Sequence, residues 1–188
     1  RRLLPGYRDF YRTHLPGFER VDEAGTASLF GVRETRRILG DYVLNLDDYR
    51  NCAVFEDEIG RYHYWIDLHM ASADDDFEDY EKLRGEQRRP GDSYGIPYRV
   101  LTPRGLDNVL VAGRCVSTDR AVLSSLRVMA GCYITGQAAG LAAAMMAETN
   151  AGNREIDVQE LRSELRALGA FLPKQPSSLP KQYLKPSP

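Results

Sequence analysis

The feature that most constrains this chain of 188 residues is the run 128–147, which carries no formal charge and repeats small side chains, with Gly136, Ala139, Gly140 and Ala143 on one helical face. A helix of that kind has to lie close against other backbone. Gly136-x-x-x-Gly140 would in lipid mark a dimerisation face. The run is rich in Gly and Ala rather than Leu and Ile, however, and Thr135 and Gln137 interrupt it, so it reads as the buried helix of an α/β layer. The residues before it sharpen the reading. Four consecutive apolar residues at 109–112 predict a strand buried on both faces, as in a parallel sheet covered by helices, and ligands sit at the carboxyl ends of such strands. Gly113 then allows close backbone approach. With the helix opening at about Ser125, the N–H groups of Ser125, Leu126 and Arg127 are left without helical partners, and an anion belongs beside them.

Elsewhere the pattern is less directive. In residues 1–30, Tyr7, Phe10, Tyr11 and His14 share a helical face before Pro16-Gly17, which predicts a packed surface helix. The span 29–45 reads as two short strands flanking a basic turn. Asp47 is placed to cap a helix from Asp48 to about Ile59, ended by Gly60. Residues 61–70 alternate and are dense in aromatic and β-branched types, the mark of a strand in a sheet. The acidic then basic stretch 71–92 reads as a solvated loop, with a calcium site as the lesser alternative because EF-hand spacing is missing. Residues 94–101 return to extended structure, and 103–105 form a turn. Asp157 and Glu160 open a helix with Leu161, Leu165 and Leu168 as its buried stripe, closed by Gly169. The Pro-, Ser- and Lys-rich residues 173–188 form an extended tail.

Composition excludes some functions. A formal net charge of -2 leaves no electrostatic footprint for nucleic acid or an anionic membrane, so neither is expected as a partner. The three cysteines, Cys52, Cys115 and Cys132, have no metal-ligand spacing and read as structural thiols; no metal is expected. The first ten residues lack the apolar core of a signal peptide, which points to a cytoplasmic setting, and an initial Arg suggests a processed or truncated chain.

Several ordered motifs together carry a family resemblance: GVRETRRILGDYVLNLDD at 31–48, IDLH at 66–69, IPYR at 96–99, NVLVAGRCVS at 108–117, SLRVM at 125–129 and GQAAGLAAA at 136–144. Over roughly 29–170 the chain resembles the C-terminal half of the FAD-dependent oxidoreductases of the glutathione-reductase-like group, related more distantly to fumarate reductase flavoproteins and to heterodisulfide reductase. The resemblance implies an α/β fold: a Rossmann-like FAD-binding strand and helix, joined to a mixed-sheet substrate domain. The expected organisation is 1–95 for part of the substrate or cap domain, 96–150 for the return segment of the FAD domain, 151–172 for a C-terminal helix and 173–188 for the tail.

The resemblance also implies a site. Gly113 and Arg114 would lie near the ribityl and pyrophosphate portion of FAD, while Ser125, Leu126 and Arg127 would place donors beside the flavin N1 and C2 carbonyl, where reduced flavin carries negative charge. Arg127 is open to a second reading, a salt bridge at a helix start. His69, Tyr98 and Arg99 are the candidate catalytic residues, able to relay a proton, donate one and clamp a carboxylate. A strand-end His is equally a structural residue, and Arg33, Glu34, Arg36 and Arg37 read either as an anion pocket or as a charged turn. The family's GxGxxG fingerprint is missing from the sequence. Two functions follow: the carboxyl portion of a FAD-dependent oxidoreductase acting on a small organic substrate, or a non-catalytic fragment or subunit that completes a flavin site only with another polypeptide, the missing N-terminal half or a partner chain. Weak FAD binding by the isolated chain is expected.

Overall fold

The computed structural model describes residues 3–29, 31–69, 83 and 91–172, and the chain divides into two units, Arg1–Val32 and Arg33–Pro188. In the first, Pro5 starts helix α1, Leu4–His14, where its missing N–H costs nothing. Phe10 stacks on His14 with ring centroids 4.8 Å apart, four residues along the same face. The helix buries none of its residues, so the packed face expected for Tyr7, Phe10 and Tyr11 is instead exposed.

The second unit is assembled around a two-stranded antiparallel ladder. Strand β1, Glu58–Tyr62, pairs with β2, Tyr94–Pro97, in the register Gly60↔Ile96 and Tyr62↔Tyr94, with a bulge between Glu58 and Gly60. The short helix α2, Leu46–Arg50, is capped two residues before Asp47, by Asn45, and ends at Arg50 rather than near Ile59. Asn45 accepts from the Asp47 and Asp48 amides, Asp48 accepts from the Asn45 amide, and the two together close a capping box. Two further helices follow, α3 at Arg120–Leu126 and α4 at Met129–Thr149, and then α5 at Val158–Ala167. Asp157 caps α5 as expected, and Leu161 and Leu165 are buried, but Leu168 is exposed. The core runs from Tyr49, Tyr62 and Tyr94 through Ile59, Ile66 and Ile96 to Val122, Leu126, Ala138, Ala142, Leu161 and Leu165. The mixture of helices with a small sheet is consistent with the α/β class.

Several expected strands are absent among the described residues. Residues 109–112 are extended, but a strand needs a ladder and theirs reduces to one bond, from the Val111 amide to the Leu101 carbonyl at 2.9 Å. Val109 is 37 % exposed, which excludes burial on both faces. The span 31–45 contributes only isolated bridges at Gly40 and Leu44. Past Tyr62 the alternation of 61–69 persists, with Tyr62 and Ile66 buried and His63 and Trp65 exposed, yet no strand pairs with it. Its carbonyls are taken by side chains of α3 and its C-cap: Ser125 Oγ donates to Tyr64, Arg127 to Asp67 and Arg120 to His69, at 2.6, 2.7 and 3.0 Å. A helix therefore does the work of a neighbouring strand and fixes where His69 sits. The expectations for most of 71–92 and for 173–188 lie outside the described residues.

Helix α3 and α4 meet at a bend of 91°, and no single helix among the described residues is long and apolar enough to cross a membrane.

Candidate functional site

The α3–α4 corner gathers most of the polar residues that the sequence singles out. Helix α3 opens at Arg120, not Ser125. Asp119 caps it, one carboxylate oxygen accepting from the Val122 amide and the other from the Leu46 amide, both at 2.7 Å. Ser125 and Leu126 are consequently in its last turn, where amides are already bound to carbonyls four residues earlier, and the Arg127 amide binds Leu123 at 2.8 Å. Ser125 is fully buried, its hydroxyl shared between Tyr64 and Tyr94, and Leu126 is in the core. The free amides expected from Ser125 onward are thus moved four residues along the chain, to Met129.

They recur at the start of α4. Val128 is the extended N-cap residue, with no side-chain cap, so the first amides of this 21-residue helix, at Met129 and Ala130, have no partner from a cap, whereas the buried Gly131 amide donates to the Tyr62 hydroxyl. The corner is tight. A Cβ on Gly131 would collide with the Leu126 carbonyl oxygen, so only glycine lets the chain fold back at this angle. On the flank of the same helix the turn Gly113–Cys115 is held by a bond from the Gly113 amide to Thr135 Oγ at 3.0 Å, and Gly113 has φ +75, a left-handed conformation that L side chains disfavour. Cys132 lies beside this turn, its thiol donating to the Arg127 carbonyl and its pKa pushed up by burial. Gly113, Arg114 and the α4 terminus are thus brought to one place.

Arg127 is the hub on the other side. Only 5 % of its side chain is exposed; one Nη donates to Glu34 at 2.7 Å and the other to the Asp67 carbonyl at 2.7 Å, with the Asp67 carboxylate at 3.7 Å. Glu34 also lies 3.5 Å from Arg120. His69 Nε2 lies 3.4 Å from Asp67 Oδ2 and is met by the Arg33 guanidinium. Sequence reasoning named Arg33 and Glu34 together, and His69 and Arg127 each apart from them. It missed Asp67 and Arg120, whose only signals are the alternation that sets Asp67 beside His69 and the position of Arg120 just after a capping Asp.

Tyr98 and Arg99 go elsewhere. They form part of a 3-10 turn at Tyr98–Val100 and line an open cleft of about 570 Å³ with Asp41, Asp57, Thr102, Arg154 and Gln159, a lining that excludes His69. The Tyr98 hydroxyl donates to the Asn153 carbonyl at 2.7 Å, and burial raises its pKa. Arg99 grips Asp57 through Nε and Nη2 at 2.9 and 3.2 Å and lies 5.1 Å from the Tyr42 ring centroid. The two thus tie loops together and stand apart from His69.

A family model for FAD dependent oxidoreductases matches residues 1–165. The chain belongs to that family. Its role is that of a flavin oxidoreductase and its cofactor is FAD. No curated protein and no solved structure matches the chain. For a FAD-dependent oxidoreductase the corner has fitting chemistry: uncapped amides at the positive end of a long helix, a glycine turn with φ +75 against that helix, and a buried guanidinium two residues before it.

Proposed function

We propose that this chain is the carboxyl portion of a glutathione-reductase-like FAD-dependent oxidoreductase that moves a hydride or electron pair between a small organic substrate and flavin, in a cytoplasmic setting. The observation that carries the reading is the α3–α4 corner, where uncapped amides follow Arg127 by two residues and Arg127 shares Asp67 with His69. When bound, FAD supplies two-electron chemistry at its N5. The Met129 and Ala130 amides, with Gly113 and Arg114, would hold its anionic parts. Arg127, fixed by Glu34 and Asp67, adds positive charge that favours the reduced cofactor. His69, held in place through its carbonyl by Arg120 and flanked by Asp67, holds or releases a proton at Nε2. Replacing His69 by Ala in FAD-loaded protein is expected to lower turnover by roughly 10²-fold or more. Undiminished turnover at normal flavin content would remove His69 from the mechanism.

A second reading, a piece that completes its flavin site only with another polypeptide, draws on one feature. The α4 face bearing Met129 and Tyr133, each 69 % exposed, with open space beside Gly136 and Gly140, is apolar and bare. Purified chain that is yellow without any partner would dismiss this reading, and colourless chain that takes up no added FAD would favour it.

A further inference from the structure

The cleft lined by Tyr98 and Arg99 has no part in the flavin reading, and its hydrogen bonds are unevenly spent. Arg99 commits one edge of its guanidinium, Nε and Nη2, to Asp57 at 2.9 and 3.2 Å. A guanidinium carries five N–H groups. Among the described residues the opposite edge, Nη1 with the second Nη2 hydrogen, meets no acceptor, and 23 % of the side chain stays exposed where it lines the cleft. Acceptor capacity lies in the same lining. Among the described residues Asp57 Oδ1 receives only the Arg99 Nη2 bond and Asp41 Oδ1 only the Arg154 Nη2 bond at 3.1 Å, so each oxygen keeps a lone pair. The Tyr98 hydroxyl gives its hydrogen to the Asn153 carbonyl and can itself accept.

An open donor edge among carboxylates suits hydroxyl groups. Each hydroxyl accepts one hydrogen bond and donates another, so two on adjacent carbons take the Arg99 edge through their oxygens and return their hydrogens to Asp41 and Asp57. An anion is served less well. It can use Arg99 but has nothing to donate to the carboxylates, and the lining sets three of them, with Glu56, against the two guanidiniums of Arg99 and Arg154. A cation without hydroxyls leaves the Arg99 edge bare. The volume of about 570 Å³ falls within the roughly 300–1,000 Å³ of small-molecule sites, and Val158 supplies an apolar wall for a C–H face. We propose that this cleft binds a neutral polyhydroxylated ligand, a sugar or polyol, with its ring against Val158 and two adjacent hydroxyls on Arg99. The site goes beyond the flavin reading and does not depend on it.

The test titrates the full chain by NMR with D-glucose, D-galactose and myo-inositol, and with cyclohexanol and succinate as the single-hydroxyl and anionic counterparts. At least one of the first three is expected to shift the Arg99 side-chain Nε–H and the Gln159 amide saturably, while cyclohexanol and succinate at equal concentration leave both in place. NOEs from its ring protons to the Val158 methyls are expected in the wild-type chain, a readout that needs no variant. Arg99→Lys keeps a charge for Asp57 but loses the open edge, and is expected to weaken binding about tenfold. No response to any of the three, an equal response to cyclohexanol or succinate, NOEs centred away from Val158, or unchanged affinity in an Arg99→Lys chain with the wild-type amide spectrum would overturn the site.

Discussion

Of the two roles that its sequence context left open for Arg127, the structure shows the salt bridge, and the flavin role is the proposal. Arg127 is an ion-pair partner, buried and bound to Glu34, and it stands two residues before the open end of a long helix. Removing it strands the Glu34 carboxylate, so Arg127→Ala is expected to cost roughly 2 kcal/mol in denaturant unfolding. In FAD-loaded protein the same change should lower the flavin midpoint potential, because a positive charge near the reduced cofactor is lost. A potential that does not move would leave Arg127 with the structural role alone. Glu58 gives a second, independent check on the packing. Its carboxyl is buried between β1 and β2, with one oxygen bound by the Phe55 amide and Arg61 and the other without a partner. Burial lifts its pKa to about 7, against the pull of Arg61, the Phe55 amide and Arg162. A folded-state pKa raised above the unfolded value near 4.5 means that the protonated form favours folding. Stability should therefore be fullest below about pH 4.5 for this group and fall as pH rises through 7, by an amount on the order of 3 kcal/mol. Unfolding curves across that window should show the slope in the native chain and lose it in Glu58→Gln.

At the scale of elements, the corner was half legible. The small-residue run 128–147 is a helix, and Asp157 caps the one after it, because periodicity and capping chemistry are local signals. The break between α3 and α4 was not legible. Neither Gly nor Pro marks it; Arg127 keeps helical angles and Val128 alone turns extended, at φ -69 and ψ 153. What compels the turn is non-local: Arg127 reaches Glu34 and Asp67, and Gly131 folds against the Leu126 carbonyl. The Val109 segment fails as a strand for the same kind of reason, since four apolar residues state a preference and a ladder partner decides it. Two glycines in one helix then make opposite predictions. Gly131→Ala should destabilise the chain by roughly 1–3 kcal/mol through collision with backbone. Gly140→Ala, into open space, should stabilise it by up to about 1 kcal/mol through helix propensity. Equal effects in chemical denaturation would mean that the corner is not packed as described.

At the scale of the molecule, His69 and Arg127 come together through α3, whose side chains and C-cap occupy the carbonyls of 64–69, whereas Tyr98 and Arg99 are drawn off to another cleft by Asn153 and Asp57. The sequence grouped His69, Tyr98 and Arg99 in one place, and nothing in residue order shows that Tyr98 and Arg99 line a cleft without His69. The central claim is that FAD meets this chain at the start of α4. The most direct test is to titrate FAD into isotope-labelled chain and map the amide shifts by NMR. The account predicts that the largest shifts fall on Met129, Ala130 and Gly113, with Tyr98 and Arg99 unmoved. Shifts centred on the Tyr98–Arg99 cleft, or none at millimolar FAD, would contradict it.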